Sequence, residues 1–553
     1  MIRFLFIHAC MSICYFISIS NTKAQNISLN VIVNDSINKN SFINTLSFKK
    51  IHNSTESISE EIQLIVENLK YIGYFTNTID SVTTANNKTN LYLTLNKKIN
   101  HAILSASQKT IKSNKNLNLN RKITLKIEDL KGYLLKINNF LDEEGKPFSE
   151  LCLKNIRIKN DTLFTNLKIT NSKQRTINKI IVKGYENFPD SYIKHYLKIK
   201  NKTKINHNFL RKTSNSLKQL DFITETKTPE TLFTNDSTIV YIYLKKKKTS
   251  AFDGLINFNS SGTNNLIFNG HLNLELNNIL NTGEKFLIDW KANGNERQSF
   301  KLLTCFPYIF NSPFISEIQF NVYKQDSTFL NTKFNFNLFY DFTSNTKVGI
   351  TYNTESSFVN INKTNNSNFS NYFIGSYISY FIPYNDSFYN KKLLLKFNPE
   401  FGTRNLENLK DFQIKLKFES SYLHKFSKRH QFYIRNETAA LFSNNILINE
   451  SFRIGGIKNI RGYVEESLST HKYSLLNTEY RYINNQNSYL YTIFDYGVIK
   501  TQRNKNKNLI SLGLGYYQKI KNSNIVINLT NSYNQDDSKF TYLNINIGLK
   551  SYF

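Results

Sequence analysis

The chain has 553 residues, with 71 Lys and Arg against 41 Asp and Glu, for a formal net charge of +30 at pH 7. It contains 14% aromatic residues but only 19 Gly and 7 Pro, which excludes collagen-like and Pro/Gly-rich disordered chains. Lys and Asn are spread over the whole length rather than gathered into the local stripe of a nucleic-acid footprint, so no nucleic-acid partner is expected. Cys10 and Cys14 lie near the N-terminus and Cys152 and Cys305 far apart, with no CxxC or Cys/His spacing, so no metal site is expected.

Arg3 precedes a largely apolar stretch, Phe4 to Ile19, and Asn21-Thr22-Lys23-Ala24 supplies a cleavage region. Residues 1–24 therefore read as a secretory signal peptide. No run of 18 apolar residues follows Ala24, so no transmembrane helix is expected. Such a chain can still cross a membrane as a closed β-barrel, because only helices and closed barrels satisfy every backbone polar group in lipid.

Residues 25–99, 100–175 and 176–248 read as three tandem α/β units. In the first, a strand over Ile27 to Val33 precedes a helix whose Ile58, Ile62, Ile65, Leu69 and Ile72 share one face. Gly73-Tyr74-Phe75 ends that helix, and strands follow at 76–82 and 90–95. The second unit has a helix carrying Ile127, Leu130, Leu134, Ile137 and Leu141, a stop at Gly145-Lys146-Pro147, and strands at 152–158 and 162–169. The third runs from a strand at 177–182 through helices near 191–197 and 206–220 to strands opening at Phe222 and Ser237, in the order β-α-α-β-β. Lys245 to Lys248 sit at the end of that unit.

From residue 250 the helical period disappears, and short alternating segments rich in Phe, Tyr, Leu and Ile recur between Asn, Asp, Ser, Lys and Gly. Over 250–553 this is the signature of an antiparallel transmembrane β-barrel, with sixteen strands from 253–260 to 542–553. In the last strand Leu543, Ile545, Ile547 and Leu549 alternate with Asn544, Asn546 and Lys550, the first set assigned to lipid and the second to the lumen. The longest gap, 443–471, is the sixth external loop.

No enzyme constellation is present. HExxH, GxSxG and P-loop motifs are missing, so no catalytic residue and no cofactor is expected. Gly513-Leu514-Gly515 reads as strand packing, and Glu465-Glu466 as solvated loop charge.

The order β-α-α-β-β with a Gly-aromatic stop resembles POTRA domains, the periplasmic modules that precede certain outer-membrane barrels. The sixth loop reads Phe452-Arg453-Ile454-Gly455-Gly456-Ile457-Lys458-Asn459-Ile460-Arg461-Gly462-Tyr463. Strand 13 reads Ile493-Phe494-Asp495-Tyr496-Gly497. Together these resemble the BamA/TamA superfamily of outer-membrane assembly barrels, with Ile493 standing where Phe or Gly is usual. The resemblance implies a loop folded into the lumen, where Arg461, Gly462 and Tyr463 meet Asp495 and Gly497 on the barrel wall, with Glu479 as a weaker partner. A guanidinium there requires a carboxylate, which Arg engages bidentately. Phe553 resembles the terminal aromatic read by the barrel-assembly machinery, although Ser551 stands where an apolar residue is more usual.

The implied function is assembly, insertion or translocation of other proteins at the bacterial outer membrane, with the modules in the periplasm. Clients are guided by strand addition and by a seam between strands 1 and 16, which Gly548 weakens. Implied partners are unfolded outer-membrane protein clients, outer-membrane lipid, and periplasmic or lipoprotein subunits. Three modules point toward a TamA-like barrel, since BamA usually carries more and two-partner secretion translocators usually two. The alternatives are a dedicated two-partner-type translocator or a passive porin-like channel, and modules ahead of the barrel argue against the channel.

Overall fold

Strands and helices alternate over residues 27–246 of the computed structural model, and strands dominate from 251 to 552. The structure describes residues 27–34, 47–117, 119–200, 202–260, 266–293, 297–360, 366–384, 386, 388–407, 409–501, 505–534, 539–540 and 543–553. The expected signal peptide lies outside these. The chain divides into two units, Met1–Thr176 with Lys204–His207, and Ile177–Thr203 with Asn208–Phe553.

The first unit holds two four-stranded sheets of the same plan. One has the order Ile51–His52, Ile27–Val33, Lys88–Thr94, Thr78–Ala85; the other Lys122–Lys126, His101–Ala106, Thr162–Thr170, Glu150–Lys159. The two middle strands of each sheet are parallel. Each sheet is covered by one long amphipathic helix. Thr55–Tyr71 is capped by the Ser54 hydroxyl and buries Ile58, Ile65 and Leu69 against Leu29, Val31, Leu91 and Leu93. Ile127–Glu143 opens on Glu128 and Asp129, which suit the positive end of the helix dipole, and buries Ile127, Leu130, Ile137 and Leu141. The sequence reading lacked the small strand before each long helix, and in the second sheet also the strand His101–Ala106 and the helix Gln108–Ser113. Two to six residues are too few for periodicity to mark them.

In the second unit a three-stranded sheet, ordered Ile223–Phe233, Thr238–Lys246, Lys179–Lys183, precedes the barrel. The expected helix at 191–197 is a single wide turn, Tyr192–Tyr196, and the next helix is His207–Leu217. Lys245 and Lys246 belong to the last strand.

The barrel is closed, with sixteen antiparallel strands. They are Ala251–Ser260, Leu266–Asn277, Lys285–Asn293, Arg297–Phe306, Phe314–Gln325, Phe329–Asp341, Thr346–Val359, Phe369–Pro383, Lys391–Leu406, Leu409–Lys425, His430–Phe442, Lys472–Asn485, Ser488–Lys500, Asn506–Ile520, Ser523–Asn534 and Asn544–Tyr552, numbered here 1 to 16. Alternation sorts the two faces. Ile350, Phe358, Ile374, Phe412 and Leu514 are exposed on the outside, as are Leu543, Ile545, Ile547 and Leu549. Asn331, Glu355, Glu400, Gln413 and Asp495 are buried on the inside. Among the described residues no helix is long and apolar enough to cross a membrane.

Closure is uneven. Strand 16 pairs along its length with strand 15, but among the described residues it pairs with strand 1 only at Ala251↔Tyr552 and Phe252↔Ser551. Glu275 of strand 2 reaches over this seam to Lys550 of strand 16 at 2.7 Å and takes Lys285 of strand 3 at 2.6 Å.

The third module is docked on the barrel's turns. Tyr192 packs edge-on against Tyr308 with ring centroids 4.9 Å apart, and His195 stacks on the same ring. The Tyr308 hydroxyl donates to Asp341 at 2.6 Å. Burial and that carboxylate push the Tyr308 phenol far above its ordinary pKa, so it remains a donor. Lys198 donates to the Phe342 carbonyl, and Tyr185 bonds Asn281. Gly283, with φ +75°, lies beneath the Tyr192 ring, where a Cβ would come within 2.3–2.6 Å of ring atoms. Gly283→Ala should therefore cost about 1–3 kcal/mol of docking stability through overpacking and left-handed strain. Faster hydrogen exchange in Tyr192–Tyr196 than in the wild type is the expected reading, and Gly548→Ala, with nothing within 4 Å of its Cβ, is the silent control.

Candidate functional site

Residues 443–471 leave the barrel wall and return to it without joining the sheet. The segment has structure of its own: a short 3-10 turn, Ile448–Glu450, and a stem in which Phe452–Ile454 pairs with Leu468–Thr470. Above the stem, Gly455 and Gly456 adopt φ of +117° and +91°. Gly456 donates its N–H to the Tyr463 carbonyl, which closes the tip.

The tip presents Arg461 to the wall. In strands 12 and 13 the odd-numbered residues face inward, and register places Asn477 opposite Asp495 and Leu475 opposite Gly497. Asp495 accepts from the Arg461 backbone N–H and Nε at 2.9 Å each, and from Nη2 at 2.6 Å. Glu479 accepts from Nη1 at 2.5 Å. Asp495 is fully buried and Arg461 and Glu479 nearly so. Two guanidinium bonds to Asp495 and one to Glu479 fix the guanidinium in place, and the backbone N–H bond fixes the chain that carries it.

The neighbouring motif residues complete the contact. Gly462, with φ +86°, brings its backbone onto strands 14 and 15, where a Cβ would lie 2.7 Å from Ser511 Oγ and 3.3 Å from Ser532 Cβ. Its carbonyl accepts from the Ser532 hydroxyl at 3.1 Å. The Tyr463 hydroxyl donates to the Tyr533 carbonyl at 2.8 Å and accepts the Ile510 N–H at 3.2 Å. At Gly497 a Cβ would meet Leu475 at 2.6 Å and the loop's Ile460 at 3.3 Å. Ile454, Ile460, Leu475, Ile499 and Leu509 form an apolar cluster inside the barrel that seats the loop.

Gly455, Gly456, Arg461, Gly462, Tyr463, Glu479, Asp495 and Gly497 are thus brought together. Phe553 is not among them. It lies at the seam, its N–H donating to the Ser250 carbonyl at 2.9 Å and its side chain exposed.

A second anchor holds the loop's base, and the sequence reading missed it. Glu450 accepts from Arg404 Nη1 at 2.5 Å and from Gln413 at 3.0 Å, while Arg404 Nη2 reaches Asp411 at 2.5 Å. Arg404 is wholly buried. Beside it, Asn449 donates to Ser357 at 2.7 Å, and its carbonyl accepts from Asn331 at 2.5 Å. Further along, Arg453 lies over the rings of Tyr323 and Phe329. Lys458 pairs with Asp289 at 3.3 Å, and Lys291 with Glu465 at 2.7 Å. The expectation that Glu465 is solvated loop charge is corrected: strand 3 supplies its cation, and the loop crosses the lumen to reach it. Only sequence-distant strands reveal these partners.

Residues 311–517 match the family model described as haemolysin secretion/activation protein ShlB/FhaC/HecB. Over that interval the chain is similar to the ShlB/FhaC/HecB family. The matched interval holds the whole sixth loop and both of its ionic anchors. Among solved structures, CdiB from Acinetobacter baumannii superposes with a TM-score of 0.53 at 14% identity, over 82% of this chain and 90% of that one. CdiB from Escherichia coli gives 0.52 at 12% identity, over 90% and 97%. BamA from Haemophilus ducreyi lacking POTRA domains 1-3 gives 0.46 at 11%, over 81% and 99%. At such identities the CdiB likeness is one of fold. No curated protein sequence matches the chain. The match over residues 311–517 and the sixteen-stranded barrel with POTRA-like repeats are consistent with the BamA/TamA-type superfamily and with an outer-membrane barrel.

Proposed function

We propose that this chain is a dedicated translocator of the two-partner secretion type, exporting one or a few polypeptides through a lumen that the sixth loop gates. The match of residues 311–517 to a secretion/activation model carries the reading, because that interval contains the loop and its anchors. Arg461, Glu479 and Asp495 brace the loop at its tip, and Arg404, Glu450 and Asp411 at its base. The modules face the periplasm and receive the client by strand addition along open sheet edges such as Thr78–Ala85 and Glu150–Lys159, which end their sheets. No catalytic step or cofactor is involved. Three modules are one more than is usual for this type.

A specific observation favours the second reading, an assembly factor that opens sideways: among the described residues, only two pairs join strands 1 and 16. Opposed residues at that seam provide the test. Phe252→Cys with Ser551→Cys, in a chain whose Cys152 and Cys305 are Ser, should form a cross-link that leaves export intact if clients pass through the lumen. Loss of client assembly on oxidation, restored by reductant, would instead select the lateral route. Deletion of the protein followed by quantification of all outer-membrane barrels supplies the complementary result: loss of one or a few exported proteins supports the translocator, and a general fall in barrels refutes it.

A further inference from the structure

Turns at the module end of the barrel join adjacent strands and have no structural need to reach further. The turn between strands 8 and 9 departs from this. Its described residues Asp386, Phe388 and Tyr389 touch strands 11 to 14, passing strands 9 and 10. Phe388 packs edge-on against Tyr489 and Tyr517, with centroids 4.9 and 5.7 Å away. Tyr389 stacks on Tyr433 and shares a hydroxyl–hydroxyl bond of 2.8 Å with Tyr489. Gln431 donates to Asp386 at 3.1 Å. These side chains therefore extend across the lumen mouth.

The same turn is linked in two directions. Asn390 donates to Asp221 of the third module at 3.3 Å. Inward, the Arg481 guanidinium lies 4.2 Å from the Tyr389 ring centroid and 4.1 Å from that of Tyr433, beside the stacked pair and in reach of both. Arg481 also donates to Glu479 Oε2 through Nε at 2.8 Å and through Nη2 at 2.5 Å. The other oxygen of Glu479 holds Arg461. One carboxylate thus joins the loop tip to the aromatic cluster at the mouth.

We propose that Phe388 and Tyr389 form a second plug that closes the module end of the lumen, and that Arg481 couples this plug to the sixth loop through Glu479. Arg481 is a positioning residue: it touches the plug directly and reaches the sixth loop only through Glu479. A client engaged on the third module acts on the plug through Asn390, and the plug acts on the loop through Arg481. The proposal rests on the lumen being the export route, but conductance reads the plug with no client present. A failure of export with the plug behaving as stated therefore counts against the translocator reading alone.

The experiment is planar-bilayer conductance of the purified full-length chain, with heat-modifiable gel migration confirming a folded barrel. Phe388→Ala with Tyr389→Ala should raise open probability about tenfold or more, the effect expected from losing these three aromatic contacts. Tyr389→Ala alone, a milder change, should raise it by a smaller factor. Arg481→Gln should also open the channel, and combining it with the double substitution should open it no further than the more open parent. Unchanged conductance in folded Tyr389→Ala and Phe388→Ala/Tyr389→Ala barrels overturns the plug. Multiplicative effects of the plug and Arg481 substitutions overturn the coupling.

Discussion

Arg461→Ala is expected to lower both the thermal stability of the barrel and its transport activity more than any other single substitution in the loop tip. The side chain makes three bonds, two of them to a carboxylate of zero exposure. Removing it leaves Asp495 charged and buried opposite Asn477, with Glu479 retaining Arg481. Loss of one partner from such a buried pair costs about 3–5 kcal/mol, less where water enters the lumen. Arg461→Lys should recover only part, because an ammonium cannot span Asp495 and Glu479 with the geometry of a planar fork. The measurements are the temperature at which heat-modified gel migration changes and the amount of client exported. A loop merely resting in solvent would give Arg461→Ala wild-type values for both, and that result would remove the brace.

The tip was legible in the sequence because the Arg-Gly-Tyr of the long gap and the Asp495-Tyr496-Gly497 of strand 13 together resemble the BamA/TamA pattern, and alternation in strand 13 puts Asp495 on the same face as Gly497. The barrel as a whole was readable for the same reason: a sheet with lipid outside and water inside writes its period into every strand. The small sheet strands Ile51–His52 and Lys122–Lys126 were not readable, since their place is set by pairing with Ile27–Val33 and His101–Ala106 rather than by their own pattern. Partner choice inside the lumen was also hidden. Alternation says that Arg404 and Lys291 point inward, but not which of many inward or loop charges they meet. Glu465 illustrates the limit: beside Glu466 in a polar loop it looked solvated, yet its cation lies 174 positions away on strand 3. The turn at 384–390 was likewise unmarked, because nothing in its own sequence shows which distant strands Phe388 and Tyr389 meet.

Arg404→Ala should free the base of the loop while leaving its tip attached. Arg404 has no exposure, and its two carboxylates come from different places: Asp411 from the adjoining strand and Glu450 from the loop itself. The substitution therefore leaves Glu450 buried with only Gln413 and the Leu447 N–H as donors. The cost should again be about 3–5 kcal/mol by the penalty for an uncompensated buried charge. Arg404→Ala with Glu450→Gln should be milder than Arg404→Ala alone, because the stranded charge goes with its partner. That ordering separates an ionic anchor from simple packing, for which the double change would be the worse one. Arg404 and Arg461 share no partner, so their single effects on the unfolding temperature should add. Their effects on transport should not. With either end held, the loop can swing but stays in the lumen, and only Arg404→Ala/Arg461→Ala together should leave the channel open at rest. Bilayer conductance of the two single variants and the combined one decides this: a fully open channel from Arg404→Ala alone would mean that the base, not the tip, carries the gate.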